Sequence, residues 1–168
     1  DIEIPSRQGR KHKLSIKLYR EVKNYPELVE SIKDGRFIIL PESLVILFLI
    51  QIVRLAKTHS PSQHKALQFN PANFNKHFQK YSLFDGGFLD NYILSHKCQE
   101  FILLGAAVSP DDLANVDAAV EGLQADIGSL GQKIDQKAII EKLGITKTEL
   151  DLNDGLVAGI FNRIALKE

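Results

Sequence analysis

Polar and apolar residues alternate from Leu14 to Leu18, with Leu14, Ile16 and Leu18 separated by Ser15 and Lys17, the period-two pattern of a half-buried strand. Downstream the period changes. Asn24 stands where it can cap a helix beginning at Pro26, with Leu28, Val29 and Ile32 turned inward and Gly35 as its stop. The run FIIL, residues 37–40, is short, apolar and ended by Pro41; it reads as a buried strand, and Pro41 then opens a helix. Between Ser43 and Lys57 polar residues recur only at Gln51, Arg54 and Lys57, so this helix is expected to lie centrally in the core.

After Ser60, Pro61 and Ser62, the residues Phe74, Phe78 and Tyr81 share one helical face, and Asp85, Gly86 and Gly87 read as a closing turn. The segment EFILLGAAV, residues 100–108, has the continuous apolar character of a strand covered on both faces. Ser109, Pro110, Asp111 and Asp112 together specify a helix start, with its end expected at Gly122. Asp126 to Leu130 reads as a short strand. Asp135 then caps a helix that turns Ile139, Ile140 and Leu143 inward and stops at Gly144. A last helix follows Thr148, where Leu152, Leu156, Ile160 and Ile164 form one apolar row and Val157, Phe161 and Ala165 form a second beside it. One row is enough to seat a helix on its own domain. The second is either further core or a surface for another protein.

This mixture of strands and helices, without repeats or a long linker, predicts an α+β fold: a single compact domain over residues 14–168, with a small mixed or antiparallel sheet packed against several helices. The stretch SRQGRKHK, residues 6–13, makes residues 1–13 a basic, solvated leader. Overall, 21 basic residues balance 21 acidic ones, so net charge points to neither nucleic acid nor membrane. The most apolar run, residues 44–53, is about half the length needed to cross a bilayer, which predicts no membrane association. Cys98 is the only cysteine; no intrachain disulfide can form, and a reducing compartment is expected.

Catalytic chemistry finds little footing. No glycine pattern for cradling phosphate occurs, and His12, His59, His64, His77 and His96 lack the paired spacing of metal ligands, so neither cofactor nor metal is called for. Cys98 follows His96 by two residues, which on a strand would put thiol and imidazole on one face, but no third positioned group accompanies them. Asp111 and Asp112 are explained by the helix start.

Three ordered stretches resemble the TPRKB family, the small non-catalytic subunit of the KEOPS (EKC) complex that binds its PRPK-type kinase. They are LSIKLYREVKNYPELVESIKDG followed by PESLVILFLIQIVRLA, then NPANFNKHFQKYSL, and finally NRIALKE. The chain departs from the family pattern at Asn70, Ser82 and the HKAL approach to the second stretch. The resemblance implies a subunit without enzymatic activity in the assembly that makes threonylcarbamoyladenosine in tRNA, cytoplasmic and nuclear, a monomer within a hetero-complex. It further implies that the last helix meets the kinase, with Ile160, Arg163, Ile164 and Leu166 as the contact residues. Lys65, Asn70, Asn73 and Lys76 would then face the tRNA acceptor end. Two other readings stand beside this one: a stand-alone RNA-binding module led by the basic stretch, and a small enzyme using Cys98 with His96.

Overall fold

The computed structural model describes residues 2–5, 11–32, 35–50 and 86–166. It is an α+β domain around an antiparallel sheet. The strands β1 (Ile2–Pro5), β2 (Lys11–Arg20), β3 (Phe37–Pro41) and β4 (Phe101–Ala106) lie in the order β1-β2-β4-β3, and β5 (Leu123–Ala125) pairs with the end of β2. Leu14 lies opposite Ala106 and Tyr19 opposite Phe101, while on the other side of β4 Phe37 lies opposite Gly105. β1 pairs with Lys11–Leu14, so the sheet begins before the boundary expected at residue 14, and part of the expected leader is strand.

Every residue of β4 is buried, which explains its unbroken apolar sequence. Its side chains alternate between two cores. Ile102, Leu104 and Ala106 join Leu14, Leu18, Ile38 and Leu40 on one face. Phe101 and Leu103 join Tyr19, Phe37 and Leu28 on the other. The second core is covered by α1 (Tyr25–Ser31) and by the helix spanning Pro110–Ala119. The first is covered by Leu44 and the helical residues 45–50 (α2), by Ile139, and by Ile160 and Ile164 of the last helix. Val45, Leu47, Phe48 and Ile50 are buried, as expected for this part of the helix; residues 51–57 of the expected span, with Gln51, Arg54 and Lys57, lie outside the described residues.

The remaining helices among the described residues are α3 (Gly86–Ser95), α4 (Pro110–Ala119), α5 (Gln136–Leu143), α6 (Lys147–Leu150) and α7 (Gly155–Leu166). Several of their ends are those the residues dictate. Ser109 and Asp112 form a reciprocal capping box, Asp135 accepts from the Ala138 N–H, and Gly144 ends α5 in the left-handed region at φ 61°.

Other ends differ. Asn24 occupies the N-cap position of α1 without capping it; its amide instead donates to the Ala119 carbonyl and accepts from the Glu121 N–H, tying α1 to the end of α4. Val29, expected inward, is exposed. Gly86 and Gly87 begin α3 rather than closing a turn, and α4 ends at Ala119 before Gly122. The short strand expected from Asp126 lies earlier, at Leu123–Ala125, and Asp126 caps a 3-10 turn by accepting from the Gly128 N–H. The apolar run after Thr148 is broken by a turn at Leu152–Asp154, with Asp154 at φ 55°. It therefore supplies the end of α6 and the whole of α7. The loop at 60–62 and the aromatic row Phe74, Phe78 and Tyr81 lie outside the described residues.

Candidate functional site

The last helix resolves which apolar row points where. Ile160 is 0% exposed and Ile164 2% exposed, both within the core beneath the sheet, and Leu156 packs beside them. They seat the helix on its own domain, which corrects their assignment as partner contacts: a side chain already enclosed by its own core has no surface left to offer. Val157 and Phe161 of the second row flank them and stay partly exposed, at 37% and 43%. Leu166 is 85% exposed near the end of the helix, and Leu152 63% exposed in the turn before it.

A third row, Gly155, Gly159 and Arg163, recurs every four residues and meets α5 and α6. A Cβ at Gly155 would lie 2.2 Å from the Glu149 carbonyl oxygen and 2.7 Å from the Leu150 Cα, so only glycine permits this approach of backbone to backbone. At Gly159 a Cβ would lie 3.1 Å from the Ile145 side chain. Arg163 completes the row. Its Nε donates to the Leu143 carbonyl at 3.1 Å and its Nη2 to the Gly144 carbonyl at 2.9 Å, two acceptors at the end of α5 that the helix itself cannot satisfy. Nη1 and Nη2 also donate to the two carboxylate oxygens of Glu149, the second at 3.0 Å. Glu149 in turn closes a capping box with Thr146 at the start of α6. The Arg163 guanidinium and the Thr146 donors hold the Glu149 carboxyl down to about 2. Arg163 was expected at the rim of a protein contact; its guanidinium is instead committed within the molecule.

A second region lies around Tyr92 on α3. Its hydroxyl donates to Asp135 at 2.9 Å and lies 2.9 Å from the Ser43 hydroxyl. Its ring stacks on His96 with centroids 4.1 Å apart, and the His96 Nε2 is 3.8 Å from Asp135. Burial, with Asp135 adjacent, raises the Tyr92 hydroxyl well above its ordinary value. A groove of about 900 Å³ opens beside this network between α3 and α5, lined by Phe88, Tyr92, Ala138 and Lys142 among others, with the Lys142 ammonium 4.6 Å from the Phe88 ring centre. A smaller hollow of about 440 Å³ on its other side includes Cys98 and Glu100.

His96 and Cys98 occupy the connection between α3 and β4 and do not share a strand face. The imidazole is engaged with Tyr92, Ser95 and Asp135. Burial first, and then the negative charges of Glu100 and Asp135, push the Cys98 thiol up to about 11, opposite to what an activated nucleophile needs.

Among the described residues no group of three or more His, Cys, Asp or Glu is placed to hold a metal ion, and no helix is long and apolar enough to cross a membrane. Lys65, Asn70, Asn73 and Lys76, the residues assigned to tRNA, lie outside the described residues. Sequence reading missed Glu149, Gly155 and Gly159. Their signals were present: Thr146 followed three residues later by Glu149, and two glycines four apart at the head of an apolar helix. No protein-family model matches the chain, and no curated protein matches it.

Proposed function

We propose that this chain is a non-catalytic subunit of a KEOPS/EKC assembly, which binds the PRPK-type kinase through its last helix and assists in presenting tRNA for threonylcarbamoyladenosine formation. The observation that carries the reading is the division of α7 into a buried row at Ile160 and Ile164 and an uncovered one at Val157 and Phe161. The three sequence stretches that resemble the TPRKB family support the choice of partner. Val157 and Phe161 replace Ile160 and Ile164 as the apolar contacts, with Leu166 retained beyond them. An aromatic side chain presented by a rigid helix is the usual kind of anchor in a protein interface. The raised Cys98 thiol and the internal contacts of His96 weigh against the thiol-enzyme alternative. Lys65, Asn70, Asn73 and Lys76 remain the residues assigned to the tRNA acceptor end.

Co-purification with the PRPK-type kinase from the same source tests the proposal. Wild type should be retained and Phe161→Asp lost, with both showing the same circular dichroism spectrum. Failure of wild type to bind rejects the subunit reading; retention of a folded Phe161→Asp rejects this face.

A further inference from the structure

The α5–α6–α7 corner has an unusual division of labour. Along the row of α7 that meets α5 and α6, Gly155 and Gly159 present no side chains: at Gly155 the helix backbone lies against that of Glu149 and Leu150, and at Gly159 against the Ile145 side chain. α6 has four residues, too few to hold its shape alone. Arg163 is the side chain in that row that spans the corner. It reaches the carbonyls of Leu143 and Gly144 at the end of α5, the carboxylate of Glu149 on α6, and the Gly159 carbonyl of its own helix at 3.4 Å. A guanidinium has donors in a fixed planar fork, so filling several at once fixes orientation as well as distance. Phe161 is two residues away on the same helix, and its direction follows the pitch of α7.

We infer that Arg163, with Glu149, is a positioning pair that pre-sets the pose of the kinase-docking face and does not itself touch the kinase. The inference rests on the docking reading above. A positioning residue and a contact residue leave different kinetic traces. Loosening the pose lowers the fraction of molecules ready to bind, which slows association. Removing a contact shortens the life of the complex, which speeds dissociation.

The decisive experiment measures association and dissociation of the whole chain with the PRPK-type kinase for wild type, Arg163→Lys and Phe161→Asp, alongside amide hydrogen exchange of the free proteins. Arg163→Lys keeps the charge but not the planar fork. It should slow association roughly tenfold with dissociation almost unchanged, and should speed exchange in residues 147–150 and 155–159 without affecting β2 and β4. Phe161→Asp should abolish binding while leaving exchange in those segments as in wild type. Faster dissociation of Arg163→Lys with unchanged association would make Arg163 a contact and overturn the inference, as would unaltered exchange at α6 and α7. If wild type binds and Arg163→Lys binds identically, positioning fails while docking stands. If wild type does not bind, the docking reading falls and takes the inference with it.

Discussion

Ile160 and Phe161 are sequence neighbours with opposite environments, and truncating each in turn tests the seating of α7. Ile160 is fully buried in the core that also holds Leu104, Ile139 and Ile164. Ile160→Ala removes three carbons, worth about 0.8 kcal/mol each in lost burial, and the unfilled space brings the expected cost to about 2–5 kcal/mol. For a chain of this length about 3 kcal/mol corresponds to a fall of roughly 6–12 °C in melting temperature. Phe161→Ala deletes a larger side chain, but one that is 43% exposed, so about 1 kcal/mol or less is expected. Urea denaturation followed by circular dichroism gives both values, with unchanged slopes showing that the unfolding reaction is the same. The assigned seating is wrong if Phe161→Ala costs as much as Ile160→Ala, or if Ile160→Ala costs under about 1 kcal/mol, within the range of surface changes.

Glu149 makes a pH prediction with a definite sign. Its carboxyl is lowered from 4.5 to about 2, first by the Arg163 hydrogen bond, so its stabilising contribution is complete above about pH 4.5 and is lost as pH falls towards 2. Glu149→Gln should flatten the stability profile across that window, which urea midpoints at successive pH values would show. Gly155→Ala, driving a Cβ against the Glu149 carbonyl, should lower the melting temperature far more than Gly159→Ala, whose neighbour is a side chain able to move. Cys98 should react slowly with a disulfide reagent at pH 8 and accelerate on unfolding in urea; rapid reaction of the folded protein would contradict the raised thiol.

Much of the architecture was legible because it rests on local rules. Ser109-Pro110 and Asp135 declare helix starts through the hydrogen bonds their side chains make, and the apolar run of β4 declares a strand covered on both faces. What failed depended on remote contacts. Asn24 has the chemistry of a cap, yet Ala119 and Glu121, nearly a hundred residues away, engage its amide. The last helix showed two apolar rows clearly. Periodicity measures the angle between rows, and the absolute direction of either comes from tertiary packing. Arg163 illustrates the same limit: a cation at the end of a helix looks like a surface group until the carbonyls of Leu143 and Gly144 are found beside it.

The position of β4 between β2 and β3 also governs how the chain can be made. Leu14 must wait for Ala106, and Phe37 for Gly105, so the centre of the sheet stays vacant until residues 101–106 have left the ribosome. Until then β2 and β3 offer unpaired edges that no local partner can fill. Closing so long an intervening segment costs chain entropy before any pairing repays it, which predicts folding on the millisecond-to-second scale of non-local sheets. The newborn protein therefore passes through an interval in which its two earliest core strands are sticky, and the arrival of residues 101–106 is the event that ends it.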